Sequence, residues 1–270
     1  MNNKIYQLGM RAVHQKDLRT AILEAKENGF NVLEIHFSSP QFLPQNYTSE
    51  KAKEIKLFAQ EQGIILSTHS EIGQSLILTD NLSREAEKKK IKRMVDFSCK
   101  IGALNLTLHP GKASAYYSGP GKSTSNEDLY GKYYAELFED SIKHLVSVAS
   151  QKLCICIENT DNFSLVYQKI LSKYLKSGKL FLTWDIMKSF SSHKPEMKIY
   201  EDRVSFLKRN AKYVRNLHIS GPSHGGLDGY EKDFLFFFEF FKGKNIPMII
   251  EIVSLSETIQ AKKIIRGLGF

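Results

Sequence analysis

The sequence predicts one (β/α)₈ barrel of the TIM type, as a single domain over residues 1–270. Three observations lead to this fold class. Short apolar segments with strand character alternate about eight times with amphipathic segments of helical length. The length of 270 residues is ordinary for that fold. The main rival is a doubly wound open sheet, and it is disfavoured because no glycine-rich turn follows the first strand.

Residues that start and stop helices separate the predicted strands. Asp17 and Thr48 each cap a predicted helix, and Gly29 and Gly63 follow the ends of these two helices. The predicted strands cover residues 5–10, 31–37, 64–69, 104–109, 153–158, 179–185, 213–219 and 247–253. The predicted helices start near residues 17, 48, 83, 126, 164, 195, 231 and 256, so that one helix follows each strand.

One connection is longer than the others. It begins at Pro110 and Gly111 after the fourth strand, reaches residue 125, and is rich in glycine, serine and tyrosine. Loops of this length inside a compact domain usually have a function or lack order. We therefore predict that this segment is a lid or a substrate loop.

The composition narrows the class of protein. The formal net charge of +9 allows a nucleic-acid partner, but the basic residues are mostly lysines spread over predicted helix surfaces, as in segment 87–93. No apolar run reaches the roughly 18 residues of a membrane span, and the first residues lack the apolar core of a signal peptide. Cys99, Cys154 and Cys156 do not form a disulfide framework. We expect a reduced cytoplasmic protein without a membrane partner.

Seven of the predicted strands have one polar and one apolar face, with Thr68 and Arg215 as exceptions on the apolar side. In a barrel, the apolar faces pack on the helices and the polar faces point into the lumen. The strand ends then converge at the carboxyl-terminal mouth, where barrel enzymes have their active sites. Seven strands each supply an acid or an imidazole there: Glu34 and His36, His69, His109, Glu158, Asp185, His218 and Glu251.

The fifth strand shows why these groups need a common partner. Segment 153–158 is apolar and ends in Glu158, and burial of an unpaired carboxylate is costly unless a metal ion or a proton compensates it. Three carboxylates and one imidazole suit Zn²⁺, Mn²⁺, Mg²⁺ or Co²⁺ with open positions for a substrate. The predicted ligands are Glu158, Asp185, His218 and Glu251.

Two further imidazoles have two possible roles. His69 and His109 are candidate ligands of a second ion, such as Zn²⁺, bridged to the first by Glu158. Alternatively, both rings form hydrogen bonds with the substrate. The sequence alone leaves both roles open.

This ordered series resembles the xylose isomerase-like barrels, the superfamily of sugar isomerases and epimerases and of the endonuclease IV type of abasic-site nuclease. The resemblance covers essentially the whole chain. It is carried by His69, by Leu108-His109-Pro110-Gly111, by Ile157-Glu158-Asn159-Thr160, and by Asp185, His218 and Glu251. It implies that Glu158 and Glu251 match the carboxylate pair that moves the proton in the epimerases of this superfamily.

The chain also departs from the superfamily pattern. A histidine commonly stands three residues after the sixth-strand aspartate, and here that position is Lys188. The seventh-strand histidine is followed in the nucleases by Asn-Asp and later by Asp-x-His, whereas this chain has Ile219-Ser220 and later Asp228-Gly229-Tyr230. The third zinc of the nucleases would therefore keep at best Asp228. The Tyr and Asn expected soon after His69 are also missing.

Three functions follow from these residues. The first is a divalent-metal-dependent sugar or keto-acid isomerase or epimerase that acts through an enediolate, with Glu158 and Glu251 as acid and base. The second is hydrolysis of abasic DNA by zinc ions, as in the endonuclease IV type. The third is a degenerate barrel that binds a sugar without turnover, because a cation at Lys188 would compete with a metal ion.

The expected substrate is a small polyhydroxylated or phosphorylated compound. Lys188 can bind a phosphate or carboxylate of that substrate, or it can be a solvated loop lysine. Glu34 and His224 are candidates for orienting hydroxyl groups, and Asp228 is a further candidate contact.

Overall fold

The structure is a computed structural model that describes residues 7–119, 122–160, 163–190 and 198–269. Eight parallel strands close into a barrel with helices around it, which confirms the predicted fold class. The strands are β1 (Leu8–Ala12), β2 (Val32–His36), β3 (Ile65–His69), β4 (Asn105–Leu108), β5 (Ala115–Gly119), β6 (Lys122–Ser125), β7 (Cys154–Glu158), β8 (Leu180–Asp185), β9 (Val214–Ile219) and β10 (Met248–Ile250). The helices are α1 (Leu18–Glu27), α2 (Ser49–Gln62), α3 (Asn81–Lys100), α4 (Asn126–Leu129), α5 (Gly131–Val148), α6 (Leu165–Tyr174), α7 (Glu201–Asn210), α8 (Glu231–Phe241) and α9 (Leu255–Gly267).

The barrel strands are neighbours in chain order. They run β1, β2, β3, β4, β7, β8, β9 and β10, and β10 pairs with β1 to close the barrel. The register places His36 beside His69 and Asp185 beside His218. Because all strands are parallel, their carboxyl ends lie at the same mouth of the barrel, and the polar residues at these ends are neighbours.

The predicted alternation of faces is present. Leu33 and Ile35 belong to the apolar core between the strands and the helices. Glu34 is also completely buried, but its carboxylate accepts a hydrogen bond of 3.1 Å from Asn216 Nδ2 of β9. β2 and β9 are not neighbours in the sheet, so this bond crosses the lumen.

Two predicted helix starts are confirmed by their hydrogen bonds. The Asp17 side chain accepts from the backbone N–H of Thr20 at 2.8 Å, and Thr48 accepts from that of Lys51 at 3.3 Å. These bonds satisfy N–H groups that have no partner inside the helix. Gly63 ends α2 with φ of 70°, a left-handed conformation that glycine adopts without steric cost.

The first strand differs from its prediction. It covers Leu8–Ala12 rather than 5–10, and residues 5 and 6 lie outside the described part of the chain. The prediction ended this strand too early, because a charged residue such as Arg11 interrupts the hydrophobic pattern. The backbone of Arg11 nevertheless pairs with Glu34 of β2. Similarly, the helix predicted from residue 195 is observed only as α7, and residues 195–197 lie outside the described part.

The connection after β4 contains a hairpin that the sequence did not predict. β5 and β6 pair antiparallel, with Ala115 opposite Ser125, and α4 follows directly. Gly119 at the end of β5 has φ of 146°, which favours glycine. The role of this segment as a lid or substrate loop stays a prediction.

The lysine-rich segment lies on the surface of α3. Lys88 forms ion pairs of 3.0 Å with Glu85 and with Asp140, and Lys92 pairs with Asp96 at 2.7 Å. These lysines are therefore compensated by acids and do not form a continuous basic stripe. Within the described residues, no helix combines the length and apolar character that a membrane crossing requires.

A tightly packed layer lies below the polar residues on three neighbouring strands, β10, β1 and β2. Gly9, Val32 and Ile249 precede Arg11, Glu34 and Glu251 by two residues, so they lie nearer the amino-terminal end of the barrel. Val32 and Ile249 are completely buried. A Cβ atom at Gly9 would lie 2.5 Å from Ile249 Cδ1 and 2.9 Å from Val32 Cβ. The packing of this layer thus leaves no room for a side chain at residue 9.

We predict that Gly9→Ala lowers the free energy of unfolding by about 1–3 kcal/mol, because the added methyl group displaces side chains in a close-packed layer. Chemical denaturation measures this change. Gly131→Ala is the matched control, because a Cβ at Gly131 meets no atom within 4 Å at the start of α5. The control should be neutral or slightly stabilising. Equal stability of Gly9→Ala and the natural chain would contradict the described packing.

Candidate active site

Six of the eight acids and imidazoles predicted from the strand ends line one pocket at the carboxyl-terminal mouth, and Glu34 and His218 are completely buried outside its lining. Its volume is about 600 Å³. Its polar lining consists of Arg11, His36, His69, Gln74, Ser75, His109, Lys112, Glu158, Thr160, Asp185, Lys188, His224 and Glu251. A larger cavity of about 820 Å³ lies at the opposite end of the barrel, but no acid or imidazole lines it. The smaller pocket is therefore the candidate active site.

Three carboxylates form the centre of this site. Glu158, Asp185 and Glu251 are almost completely buried, and each offers an oxygen within 4.8 Å of the oxygens of the other two. Burial, together with the charges of Glu158 and Glu251, raises the pKa of Asp185 to about 8. Without a cation, Asp185 therefore holds a proton at neutral pH.

His218 joins this group from β9. Its Nδ1 lies 3.1 Å from Glu158 Oε1 and 3.4 Å from Glu251 Oε2. Burial alone would lower the pKa of His218, but the charges of Glu251, Glu34 and Glu158 outweigh burial and raise it well above its usual value. The imidazole thus occupies the position of a cation among carboxylates.

The second oxygen of Glu158 faces two further imidazoles. Glu158 Oε2 lies 2.8 Å from His109 Nε2 and 3.5 Å from His69 Nε2. Neither approach has the geometry of a hydrogen bond, and this buried oxygen has no hydrogen-bond partner among the described residues. Burial would raise the pKa of Glu158, but His218 and His109 outweigh it and hold the pKa well below its usual range.

These observations fit a divalent cation. Buried carboxylates at this separation repel each other unless a proton or a cation compensates them. The buried Glu158 oxygen has no hydrogen-bond partner among the described residues, and without a cation Asp185 is compensated by a proton. Oxygen ligands with one imidazole nitrogen are a donor set that Zn²⁺, Mn²⁺, Mg²⁺ and Co²⁺ accept. Of the four predicted ligands, the three carboxylates lie within 4.8 Å of one another and His218 contacts Glu158 and Glu251, whereas Asp185 and His218 share no such group. Their role as ligands stays a prediction.

A polar network beneath the site fixes His218. Its Nε2 lies 3.2 Å from Glu34 Oε2, and Ser67 Oγ donates to the same carboxylate oxygen at 3.1 Å. Burial of Glu34 opposes ionisation, but His218 outweighs burial and lowers the pKa of Glu34 to about 2. Because Glu34 holds Nε2, the other ring nitrogen of His218 points at Glu158 and Glu251.

The four predicted substrate contacts fall into two groups. Lys188 and His224 line the pocket. Glu34 does not line it, because it is completely buried beneath His218, and Asp228 is exposed in the loop after β9. A contact of Glu34 or Asp228 with a substrate stays a prediction.

His224 has a constrained position at the mouth. Ser223 and His224 have φ of 55° and 57°, a left-handed conformation that non-glycine residues rarely adopt. Partial burial lowers the pKa of His224, and the positive charges of Arg11 and Lys188 add to this effect against the opposing charge of Glu251. Its ring is therefore neutral at physiological pH.

Sequence reasoning missed the role of Arg11. It projects from β1 into the pocket, at a position that the predicted strand 5–10 excluded. Its spacing of two residues from Gly9 gives it the same face as the lumen residues, so a correctly placed strand end would have found it.

Two further residues support the imidazoles. His36 was recognised as a polar-face residue but not as part of the site, and its ring stacks on His69 with centroids 4.4 Å apart. Burial lowers the pKa of His36 to about 2, helped by the charges of His69 and Arg11. Gln74 Oε1 accepts from the backbone N–H of His109 at 2.9 Å. Gln74 lies in a loop, and no sequence signal indicated this contact.

Comparison with known proteins gives one family. The sequence model of the family described as xylose isomerase-like TIM barrel matches residues 22–266. No curated protein sequence matches the chain significantly.

Solved structures with the same fold include three sugar epimerases or epimerase-like proteins. A D-tagatose 3-epimerase-like protein has a TM-score of 0.73 at 14% identity, with 97% of this chain and 96% of that chain covered. D-allulose 3-epimerase from Methylomonas sp. has a TM-score of 0.72 at 16% identity, with 97% and 98% covered. The 3-keto-D-glucoside 4-epimerase YcjR from E. coli has a TM-score of 0.69 at 15% identity, with 98% and 99% covered. At these identities the similarity establishes the fold.

The pKa of Asp185 predicts how the stability of the metal-free protein depends on pH. Because this pKa is about 8 in the folded chain and near 3.8 in the unfolded chain, the folded state alone holds the proton between these values. The stabilisation is complete below pH 4 and is lost as the pH rises through about 8. Relative to Asp185→Asn, the natural chain should lose roughly 1–3 kcal/mol between pH 5 and pH 7.

Chemical denaturation in the presence of a chelator, at several pH values, measures this difference. Asp96→Asn is the control, because Asp96 is exposed on α3 and should leave the pH dependence unchanged. If the natural chain and Asp185→Asn show parallel profiles, Asp185 does not carry the proton.

Proposed function

The chain belongs to the family of xylose isomerase-like TIM barrels, and we propose that it is a divalent-metal-dependent isomerase or epimerase of a small sugar or keto acid. The observation that supports this proposal is the buried cluster of Glu158, Asp185 and Glu251 with His218 at the mouth of the barrel. The structural neighbours are named as epimerases of keto sugars, which supports the same reaction class.

Glu158, Asp185, His218 and Glu251 would hold the ion. A divalent ion bound there stabilises negative charge on substrate oxygens. The protein supplies the dry surroundings that make such stabilisation effective, because all four side chains are almost completely buried. Asp185 must release its proton when it becomes a ligand, so binding of the ion is coupled to pH.

The two glutamates would move the proton. The lowered pKa of Glu158 keeps its carboxylate ionised, which is the state that a base needs to accept a proton from the carbon next to the substrate carbonyl, while the same lowering weakens it as a base. Glu251 approaches from a strand three positions away around the barrel, so that it can deliver a proton to another position or face of the substrate. Return of a proton to the same carbon from the other face gives epimerisation, and its delivery to the neighbouring carbonyl carbon gives isomerisation.

Glu34 would position His218 rather than react. Its contact with His218 Nε2 leaves Nδ1 directed at the carboxylate cluster, as in other sites where a carboxylate orients a histidine ligand. Asn216 and Ser67 in turn hold the Glu34 carboxylate. The ligand set is therefore supported from within the lumen.

A second candidate function rests on the imidazoles beside Glu158. His69 and His109 approach the same Glu158 oxygen, which suits a second ion bridged to the first and therefore zinc-dependent phosphodiester hydrolysis. Elemental analysis separates the two functions. One ion per chain with exchange of a substrate C–H favours the epimerase, and two or three zinc ions with cleavage of abasic duplex DNA favour the nuclease.

We predict that Glu158→Gln abolishes proton exchange without unfolding the chain, because a neutral amide cannot accept the proton. The loss should be at least about 100-fold, the usual contribution of a general base. Incorporation of solvent deuterium into a panel of ketoses, ketose phosphates and keto acids measures it. Glu61→Gln is the control, since Glu61 is exposed on α2. Full exchange by Glu158→Gln would exclude the proposed role of Glu158.

We also predict that Glu34→Gln weakens metal binding by roughly 10-fold or more, because the charge that orients His218 is lost. Calorimetric titration of the metal-free protein with Mn²⁺ or Zn²⁺ measures the dissociation constant independently of turnover. Glu61→Gln should bind as the natural chain does. Unchanged affinity in Glu34→Gln would mean that His218 keeps its position without Glu34, or that it is not a ligand.

A further inference from the structure

Arg11 differs from the other buried or half-buried arginines of the described chain. Arg84, Arg203 and Arg215 each donate hydrogen bonds to backbone carbonyl groups. Arg11 is half-buried and its Nε is completely buried, yet among the described residues its guanidinium has neither a hydrogen bond nor an ion pair. A guanidinium carries five N–H donors in a planar fork that matches a carboxylate or a phosphate. The part of the chain that the structure describes therefore supplies no partner for Arg11.

The guanidinium faces the candidate active site. Arg11 lines the pocket together with His36 and His224, and its charge acts on both imidazoles. Neither ring can compensate this charge, because an imidazole is neutral or positive in its two protonation states. Among the described residues, the cation thus lies without an ion pair at the edge of the space that a substrate would occupy.

Further basic side chains around the pocket also favour an anionic ligand. Lys112 and Lys188 also line it, and Lys188 acts electrostatically on Asp185 and on His224. The acids of the lining are Glu158, Asp185 and Glu251, which are all ligands in the proposed function. A divalent ion bound there would compensate two of these three charges. A neutral sugar would then leave the Arg11 guanidinium without an ion pair among the described residues.

We propose that the substrate carries an oxyanion group, a carboxylate or a phosphate, and that Arg11 binds this group with Lys188 beside it. This inference rests on the proposed isomerase or epimerase function and defines its substrate class. The proposed substrate differs from the compounds that appear in the names of the structural neighbours, namely D-tagatose, D-allulose and a keto-glucoside. Arg11 fixes the anionic end of the substrate, while the reacting carbons lie over the carboxylate cluster.

Three probes with one ketohexose skeleton test the inference: D-fructose, D-fructose 6-phosphate and D-fructuronate, which differ only at carbon 6. Calorimetry measures their dissociation constants with the metal-loaded full chain. At least one anionic probe should bind about 10-fold or more tightly than D-fructose, the effect expected of a charged, bidentate contact. The tighter of the two anionic probes shows whether the group is a phosphate or a carboxylate.

Variants at Arg11 assign the preference to this side chain. Arg11→Gln should reduce the ratio of the neutral to the anionic dissociation constant to roughly one, and Arg11→Lys should retain part of it because the charge remains. Arg93→Gln is the matched control, since Arg93 is exposed on α3, and it should keep the natural ratio. Circular dichroism checks folding, and if Arg11→Gln does not fold, the ratio in Arg11→Lys and in the natural chain decides.

Two results would overturn the inference: D-fructose binding as tightly as both anionic probes, or an unchanged ratio in Arg11→Gln. Deuterium exchange in the same samples separates this failure from failure of the proposed function. Exchange without an anionic preference leaves the proposed function intact and removes the oxyanion site. Tight anionic binding without exchange in any probe or in the wider substrate panel retains the oxyanion site and removes the proposed reaction.

Discussion

Compensation of the buried Glu158 carboxylate is the constraint on which the rest of the site depends. One of its oxygens lies 3.1 Å from His218 and the other lies 2.8 Å from His109 and 3.5 Å from His69, so three strands contribute an imidazole to a single acid. Asp185 and Glu251 add further negative charge at short range. The hydrogen bonds of the closed sheet hold these strand ends together, and this keeps the buried charges beside the groups that compensate them.

Buried polar side chains in the lumen below this cluster hold His218 in position. Glu34, Ser67 and Asn216 form a buried network that ends on the far nitrogen of His218. Burial of these polar groups costs free energy unless they form hydrogen bonds with one another. The network therefore restricts the orientation of the His218 ring above it. The position of His218 is thus determined from two levels, by the acids beside it and by the carboxylate beneath it.

Much of this arrangement could be predicted from the chain, because strand periodicity assigns side chains to faces without any knowledge of contacts. Glu158, Asp185, His218 and Glu251 were recognised because each follows an apolar strand and shares its polar face. Arg11 was missed because a charged residue ends a hydrophobic pattern even where the backbone pairing continues. The hairpin of β5 and β6 and the contact of Gln74 with His109 depend on tertiary packing within loops, for which sequence periodicity gives no signal.

The tightly packed layer of Gly9, Val32 and Ile249 lies in the lumen below the pocket, on three neighbouring strands. The lumen side chains Glu34, Ser67, Thr107, Thr183 and Asn216 have no exposed surface, so a molecule that has reacted in the pocket leaves by the mouth at which it arrived. Substrate entry and product release therefore use the same opening of the pocket. Ser223 and His224 lie beside it with an unusual backbone conformation. A narrower opening would slow both substrate entry and product release, even if the buried acids were unchanged.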